Sequence, residues 1–271
     1  MLINFFIYIF VFGFGLCIGS FLNCVVYRLE QNKNLKGRSF CPHCKHTLKW
    51  LDLIPVFSFL YLCGKCRYCH KKISIQYPLV ELVTGILFVL ILSFSDVGLH
   101  LGSPTSFLNL AFLFYIASSL IVIFVYDLKH YLIPDKVLFP AIAAAFVYRL
   151  FENFVSLPSY LLAAVIASGF FLAIFLASAG RWMGFGDVKL AVLMGFLLGF
   201  PNILAGLFLA FFFGAIIGVI LMVFPFGSAQ GGNKKGLKSE IPFGPFLITG
   251  TFTALFWGKE IIQWYLQLFQ I

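Results

Sequence analysis

"MGFGDVKLAVLMGFLLGF", Met183 to Phe200, leads from two glycines through Asp187 and Lys189 into an unbroken apolar stretch. A carboxylate at the mouth of such a stretch needs a reason, because an ionised acid at the centre of a membrane span costs roughly 2.5 to 3.5 kcal/mol. The composition shows that a membrane is the relevant solvent. Of 271 residues, 61% are hydrophobic and only 11% charged, with a mean hydropathy of +1.00. Those values exclude an ordinary soluble domain.

A hydrocarbon core about 30 Å thick takes roughly 20 apolar residues per helix. Eight stretches meet or approach that length: Ile3 to Val26, Pro78 to Phe94, Phe107 to Tyr126, Val137 to Phe151, Tyr160 to Ala179, Val188 to Phe200, Ile203 to Phe224 and Phe243 to Trp257, the fourth and sixth being short. The expected fold is an all-α polytopic membrane protein of about eight transmembrane helices. It divides into a first helix over 1–27, a small zinc-stapled cytoplasmic domain over 28–77 and a seven-helix membrane domain over 78–271. The first stretch has no positively charged start and no small-residue cleavage pattern, so it reads as a retained helix rather than a signal peptide.

Orientation follows from the basic residues, which accumulate in cytoplasmic loops. Loop 28–77 holds ten Lys and Arg, 127–136 two, 180–189 two and 227–242 three, which is 17 of the 19 in the chain; Arg149 and Lys259 fall on the other side. Both termini are then outside and Asp187 faces the cytoplasm. The formal net charge of +9 is accounted for by membrane lipid with anionic headgroups, and no nucleic-acid partner is expected.

Segment 28–77 breaks the apolar pattern and contains "CPHC" and "CRYC". Cys41 with Cys44 and Cys66 with Cys69 form two C-x2-C pairs at a separation close to that of four-thiolate zinc sites. A loop this small buries too little core to fold without a staple, so metal binding would supply folding energy. Cys63 with Cys66 makes a competing knuckle, and His43, His46 and His70 are further candidate ligands. Disulfides are disfavoured in a reducing cytoplasm. Cys17 and Cys24, inside the first span, read as packing residues.

Of the ten acidic residues, Asp127, Asp135 and Asp187 stand where predicted spans meet the cytoplasmic face. An aspartate ahead of a helix caps its free N–H groups, which fits Asp135 and also suits Asp187. Asp127 is harder to dismiss, because it closes an apolar helix where the macrodipole disfavours negative charge. Two carboxylates brought close together share a proton and titrate as a pair. One then activates water while the other protonates a substrate carbonyl, the division of labour in aspartic proteases. Gly184 and Gly186 are expected to permit positive φ and close approach to Asp187. Lys189 is expected to snorkel to the interface. Glu81, near the start of the second span, either serves a binding site or pairs with a nearby cation.

Six motifs occur in order: "GSFLNCVVYRL" (Gly19 to Leu29), the two CxxC pairs, "QYPLVELVTG" (Gln76 to Gly85), "DLKHYLIPD" (Asp127 to Asp135), "GFGDVKLA" (Gly184 to Ala191) and "IPFGPFL" (Ile241 to Leu247). Together they resemble the type IV prepilin peptidases across nearly the whole chain. The resemblance implies an inner-membrane GxGD aspartyl protease that removes the basic leader of prepilins or pseudopilins and methylates the new N-terminal amine. It implies Asp127 and Asp187 as the catalytic acids and Asp135 as a supporting residue, beside Gly184, Gly186 and Lys189, which the residues themselves suggest as support. It assigns Cys41, Cys44, Cys66 and Cys69 to structural zinc. Gly64 is linked by it to methyl transfer from S-adenosylmethionine, and Glu81, otherwise unexplained, is a further candidate for that site. The chain departs from the family at Cys63, where arginine is common, and at Glu30, where proline is. Nothing in the loop reads as a glycine-rich cofactor fingerprint.

Two other classes compete. A proton-coupled transporter with a zinc-binding loop would also carry intramembrane acids, but near the midplane and with inverted repeats. A zinc-stapled scaffold would leave Asp127 and Asp187 without a role.

Overall fold

A computed structural model describes residues 2–94, 104–152, 154–223 and 242–268. Among these, eight long helices stand close to the eight predicted stretches: α1 (Leu2–Glu30), α3 (Gln76–Phe94), α4 (Pro104–His130), α5 (Asp135–Glu152), α6 (Leu157–Ala177), α7 (Phe185–Leu198), α8 (Asn202–Val223) and α9 (Gly244–Leu268). A short helix, α2 (Phe57–Tyr61), and a 3-10 turn at Trp50–Leu53 lie between α1 and α3. Five helices, namely α1, α3, α4, α6 and α8, are long and apolar enough to cross a membrane. This is fewer than the eight expected, for a physical reason. The 14 residues of α7 extend about 21 Å at 1.5 Å per residue, short of a bilayer core. In α5, Arg149, Glu152, Asp135 and Lys136 dilute an 18-residue helix, and the last turns of α9 carry Lys259, Glu260 and two glutamines. The basic loop 227–242, part of the orientation argument, lies almost wholly outside the described residues.

The chain forms two compact units, residues 1–122 and 123–271. In the first, α1 and α3 pack through small residues: a Cβ at Gly15 would lie 2.7 Å from the Gly85 Cα, and one at Gly19 2.7 Å from the Glu81 Cα. Such close approach is how helices gain packing energy where lipid removes the hydrophobic drive between them. The Phe88 ring stacks on Phe114 of α4 with centroids 4.0 Å apart. Hydroxyls inside the spans are satisfied locally, as where Thr84 donates to the Val80 carbonyl at 2.7 Å.

In the second unit α7 is the central element, with Val188, Leu190, Ala191 and every residue from Leu193 to Leu198 buried. Its apolar residues encircle the helix, and Gly195 lets α6 approach at Ala164. The carbonyls at its C-terminal end are taken by Arg149, which donates to Phe196 O at 3.1 Å and Leu197 O at 3.0 Å while stacking over the Tyr160 ring. A cation there complements the negative end of the helix dipole. The opposite, N-terminal end of α7 holds Asp187.

Candidate active site and metal centre

The site is assembled from the ends of three helices. Asp127 occupies the last turn of α4, which stops at Tyr131, where φ is +56° and the N–H returns to the Asp127 carbonyl at 2.9 Å. The chain then turns through Leu132, Ile133 and Pro134 into α5. Asp187 is the third residue of α7, and its carboxylate reaches back to the N–H of Gly184, the N-cap. This is one half of a capping box. The capping explanation for Asp187 is therefore partly right, but it does not make the acid solvent-exposed: Asp187 is 7% exposed and Asp127 4%. The two carboxylates lie near enough for the charge of Asp127 to act on Asp187.

The problem posed by an acid at a helix C-terminus is relieved by a third helix. The N–H of Gly244, first residue of α9, donates to the Asp127 carboxylate. A helix N-terminus offers free N–H groups and a positive dipole end. Here they face the acid that its own helix disfavours. No other residue fits at 244 without displacement, since a Cβ there would sit 2.5 Å from Asp127 Oδ2.

The glycines of the GxGD stretch act differently from expectation. Gly184 is extended, with φ −79° and ψ 152°. Gly186 is helical, and among the described residues of this unit the left-handed glycines are instead Gly180 and Gly199. The value of Gly186 is close approach: a Cβ there would lie 3.1 Å from the Ile133 Cβ. The Ile133 side chain also faces Gly244, at 3.6 Å from a Cβ built there. Ile133 thus fills the space against both glycines beside the acid pair. Lys189 does not simply snorkel. Its ammonium pairs with the Asp135 carboxylate and stands over the Phe139 and Phe185 rings, joining the N-terminal ends of α5 and α7. Gly244 and Ile133 were not singled out from sequence; the signal available was the glycine of "PFGPF" opening the last apolar run.

In the first unit, the Sγ atoms of Cys41, Cys44, Cys66 and Cys69 all lie within 4.8 Å of one another, and those of Cys41 and Cys69 are 3.9 Å apart. Tetrahedral zinc with Zn–S bonds near 2.3 Å sets its sulfurs about 3.8 Å apart, so this donor set fits zinc. The two pairs are built alike. Cys41 N–H donates to the His46 carbonyl and Lys45 N–H to that of Cys41; Cys66 N–H donates to Lys71 and His70 N–H to Cys66. Lys45 and His70 both take positive φ, and isolated bridges join Phe40 to Thr47 and Lys65 to Lys72. Cys63 and the three histidines lie outside this group of sulfurs; the His46 ring packs on Tyr68 instead. Cys17 is exposed on α1 rather than packed inside, and Cys24 is half-buried.

Both residues linked to methyl transfer are bonded within the first unit. Gly64 follows α2 with φ +67°, its N–H on Phe59 O at 2.9 Å, its carbonyl accepting from Ile73 at 2.7 Å, and the Phe59 ring 3.1 Å from where a Cβ would be. Among the described residues Glu81 pairs with no cation; it accepts from the Val56 N–H at 2.7 Å and from Ser20.

Fold and site together define a polytopic membrane protein that carries a buried pair of aspartates in one unit and a four-thiolate cluster in the other. Residues 13–94 match the family model for the bacterial peptidase A24 N-terminal domain, and residues 114–219 that for the type IV leader peptidase family. A protein of Bacillus subtilis is 35% identical over 95% of this chain and 97% of its own length. Those of Aeromonas hydrophila and Legionella pneumophila are each 33% identical, over 96% and 98% of this chain and 93% and 97% of theirs. All three are named prepilin leader peptidase/N-methyltransferase. No solved structure matches the chain. The chain belongs to the type IV leader peptidase family.

Proposed function

We propose that the chain is a membrane aspartic endopeptidase that removes the leader from type IV prepilins or pseudopilins, with Asp127 and Asp187 as its catalytic pair, and that it then methylates the new N-terminal amine. The observation that carries the protease reading is that these two acids are buried at helix ends in one unit and share a neighbour, Ile133, which packs against Gly186 beside Asp187 and against Gly244 beside Asp127. Two neighbouring carboxylates hold one proton between them. The ionised member takes a proton from water, whose oxygen attacks the scissile carbonyl carbon. The protonated member gives its proton to the carbonyl oxygen. The resulting gem-diol collapses, the C–N bond breaks, and the departing amine leaves with a proton. The Gly244 N–H donates to the Asp127 carboxylate and fixes its direction, and either acid can take the part of the base. Gly184, Gly186, Asp135 and Lys189 support the pair by shaping and bracing the N-terminal end of α7.

A prepilin's apolar segment is itself a helix and can lie in the bilayer beside these spans, with its leader in water. Placing the acids at helix ends suits that substrate and disfavours the transporter, which needs them near the midplane. We further assign all eight long helices to the membrane, the termini to the outside of a bacterial inner membrane, and the cysteine domain over 28–77 to the cytoplasm, on the distribution of basic residues.

Zinc in the four-cysteine cluster would staple that domain. Methyl transfer rests on the names of the relatives, with S-adenosylmethionine as the donor such a reaction uses. Gly64 and Glu81 enter as residues that shape the domain. Co-expression with candidate prepilins, read by the shift of the processed pilin on a gel, tests the proposal: leader removal is expected, and its absence with every prepilin of the host would contradict it.

A further inference from the structure

The segment between the two cysteine knuckles has an unusual surface. Trp50, Phe57 and Tyr61 are 73%, 66% and 82% exposed, and Leu53, Ile54 and Leu60 are exposed beside them. Soluble domains rarely carry so continuous an apolar surface. The segment is also pinned in an uncommon way. Val56, a β-branched residue, takes φ +60° and ψ −50° at the centre of a γ-turn closed by Phe57 N–H to Pro55 O at 2.6 Å. Such turns are rare and strained. The Val56 N–H, turned inward, donates to Glu81 Oε2 at 2.7 Å.

Glu81 lies five residues into α3, about 7.5 Å along its axis, and α3 is one of the helices able to cross a membrane. The hydrogen bond therefore holds the γ-turn below the start of that span, level with the outer part of the bilayer. Both ends of the domain are tied there as well, by α1 and α3. The backbone is suited to a poorly hydrated setting: Ser58 N–H returns to Ile54 O, Leu60 to Val56 and Leu62 to Ser58. Residues 28–77 hold ten basic and two acidic side chains, and Lys45, Lys49, Lys65, Lys71 and Lys72 are exposed on the knuckles. Asp52 ties the base of the segment to the second knuckle through Arg67 at 2.8 Å and the Tyr68 hydroxyl at 3.2 Å.

We propose that Trp50–Tyr61 is an interfacial strap that sinks its apolar face into the adjoining leaflet of an anionic phospholipid bilayer, with Glu81 as the anchor of its γ-turn. Tryptophan and tyrosine at its two ends are the residues that settle at headgroup level, and the surrounding lysines complement anionic headgroups. The intramembrane acid at position 81 is thereby explained without a cation. The proposal needs only the membrane, not the peptidase activity.

The test uses the full chain in vesicles of phosphatidylethanolamine and phosphatidylglycerol. Subtracting the fluorescence of a Trp50→Phe variant from that of the wild type isolates Trp50. Its emission should be strongly quenched by phospholipid brominated near the carbonyl end of the acyl chains and resist aqueous iodide. In Glu81→Leu the strap should loosen, making Trp50 quenchable by iodide while the metal content of the domain is unchanged. Wild-type Trp50 quenched by iodide and insensitive to brominated lipid would overturn the proposal. So would protection from iodide that develops only when a prepilin-like apolar peptide is added, which would assign the ridge to substrate.

Discussion

The backbone N–H of Gly244, at the start of α9, donates to the carboxylate of Asp127, at the end of α4. A helix terminus that repels an anion is thus faced by one that attracts it. Gly244→Ala should push the acid aside, because the added Cβ would lie 2.5 Å from Oδ2. A displacement near 1 Å in a reacting group lowers turnover on the order of 10²-fold. The expected result is that loss in kcat for leader removal with KM little changed. Equal kcat in the variant would mean that the contact is structural only.

Lys189 and Asp135 brace the ends of α7 and α5. The pair is partly exposed, so its coupling should be small, about 0.5 kcal/mol. Lys189→Met and Asp135→Asn are each expected to lower cleavage less than tenfold, and the double variant carrying both should lose less than the two losses combined. A double-mutant cycle on cleavage rates checks this; a loss of three orders of magnitude in either single variant would show a direct part in the chemistry.

The cysteine cluster predicts about one zinc per chain by elemental analysis, since one tetrahedral site uses four thiolates. Cys63→Ser should leave that stoichiometry unchanged, whereas Cys66→Ser should lower it and destabilise the domain. The reverse pattern would make Cys63 a ligand.

Much of this was legible from sequence. The five helices long and apolar enough to cross a membrane follow apolar runs that length identifies, whereas α5, α7 and α9 stand near predicted stretches without meeting that measure, and α1 continues to Glu30 and α9 to Leu268 through polar residues past the apolar part. The thiolate cluster was readable because each C-x2-C pair is local. The Gly244–Asp127 and Val56–Glu81 contacts were not, since each joins residues from separate elements and no periodicity encodes them. Gly186 illustrates a different limit: a glycine signals either positive φ or close approach, and only its packing against Ile133 decides for the second, while Gly184 is extended with no neighbour nearer than 3.9 Å to a Cβ built there.

Gly64 and the acid pair belong to separate units, so the two activities should be separable. Gly64→Glu is strained at φ +67° and meets the Phe59 ring. Cleavage should survive and methylation fail, giving a leaderless pilin lighter by one methyl group on intact-mass analysis. Gly64→Ala, with a smaller intrusion, should retain part of the methylation. A fully methylated product from Gly64→Glu would remove this turn from methyl transfer, and a pilin still carrying its leader would show that proteolysis needs the loop.

The central claim is that Asp127 and Asp187 act as a pair, one as base and one as acid. Its most direct measurement is the intact mass of a prepilin incubated with purified Asp127→Asn or Asp187→Asn enzyme in lipid vesicles, beside the wild type, with thermal unfolding showing that each variant is folded. The account predicts a fully processed pilin from the wild type and an unprocessed prepilin from each folded variant. Complete leader removal by either single variant would contradict it.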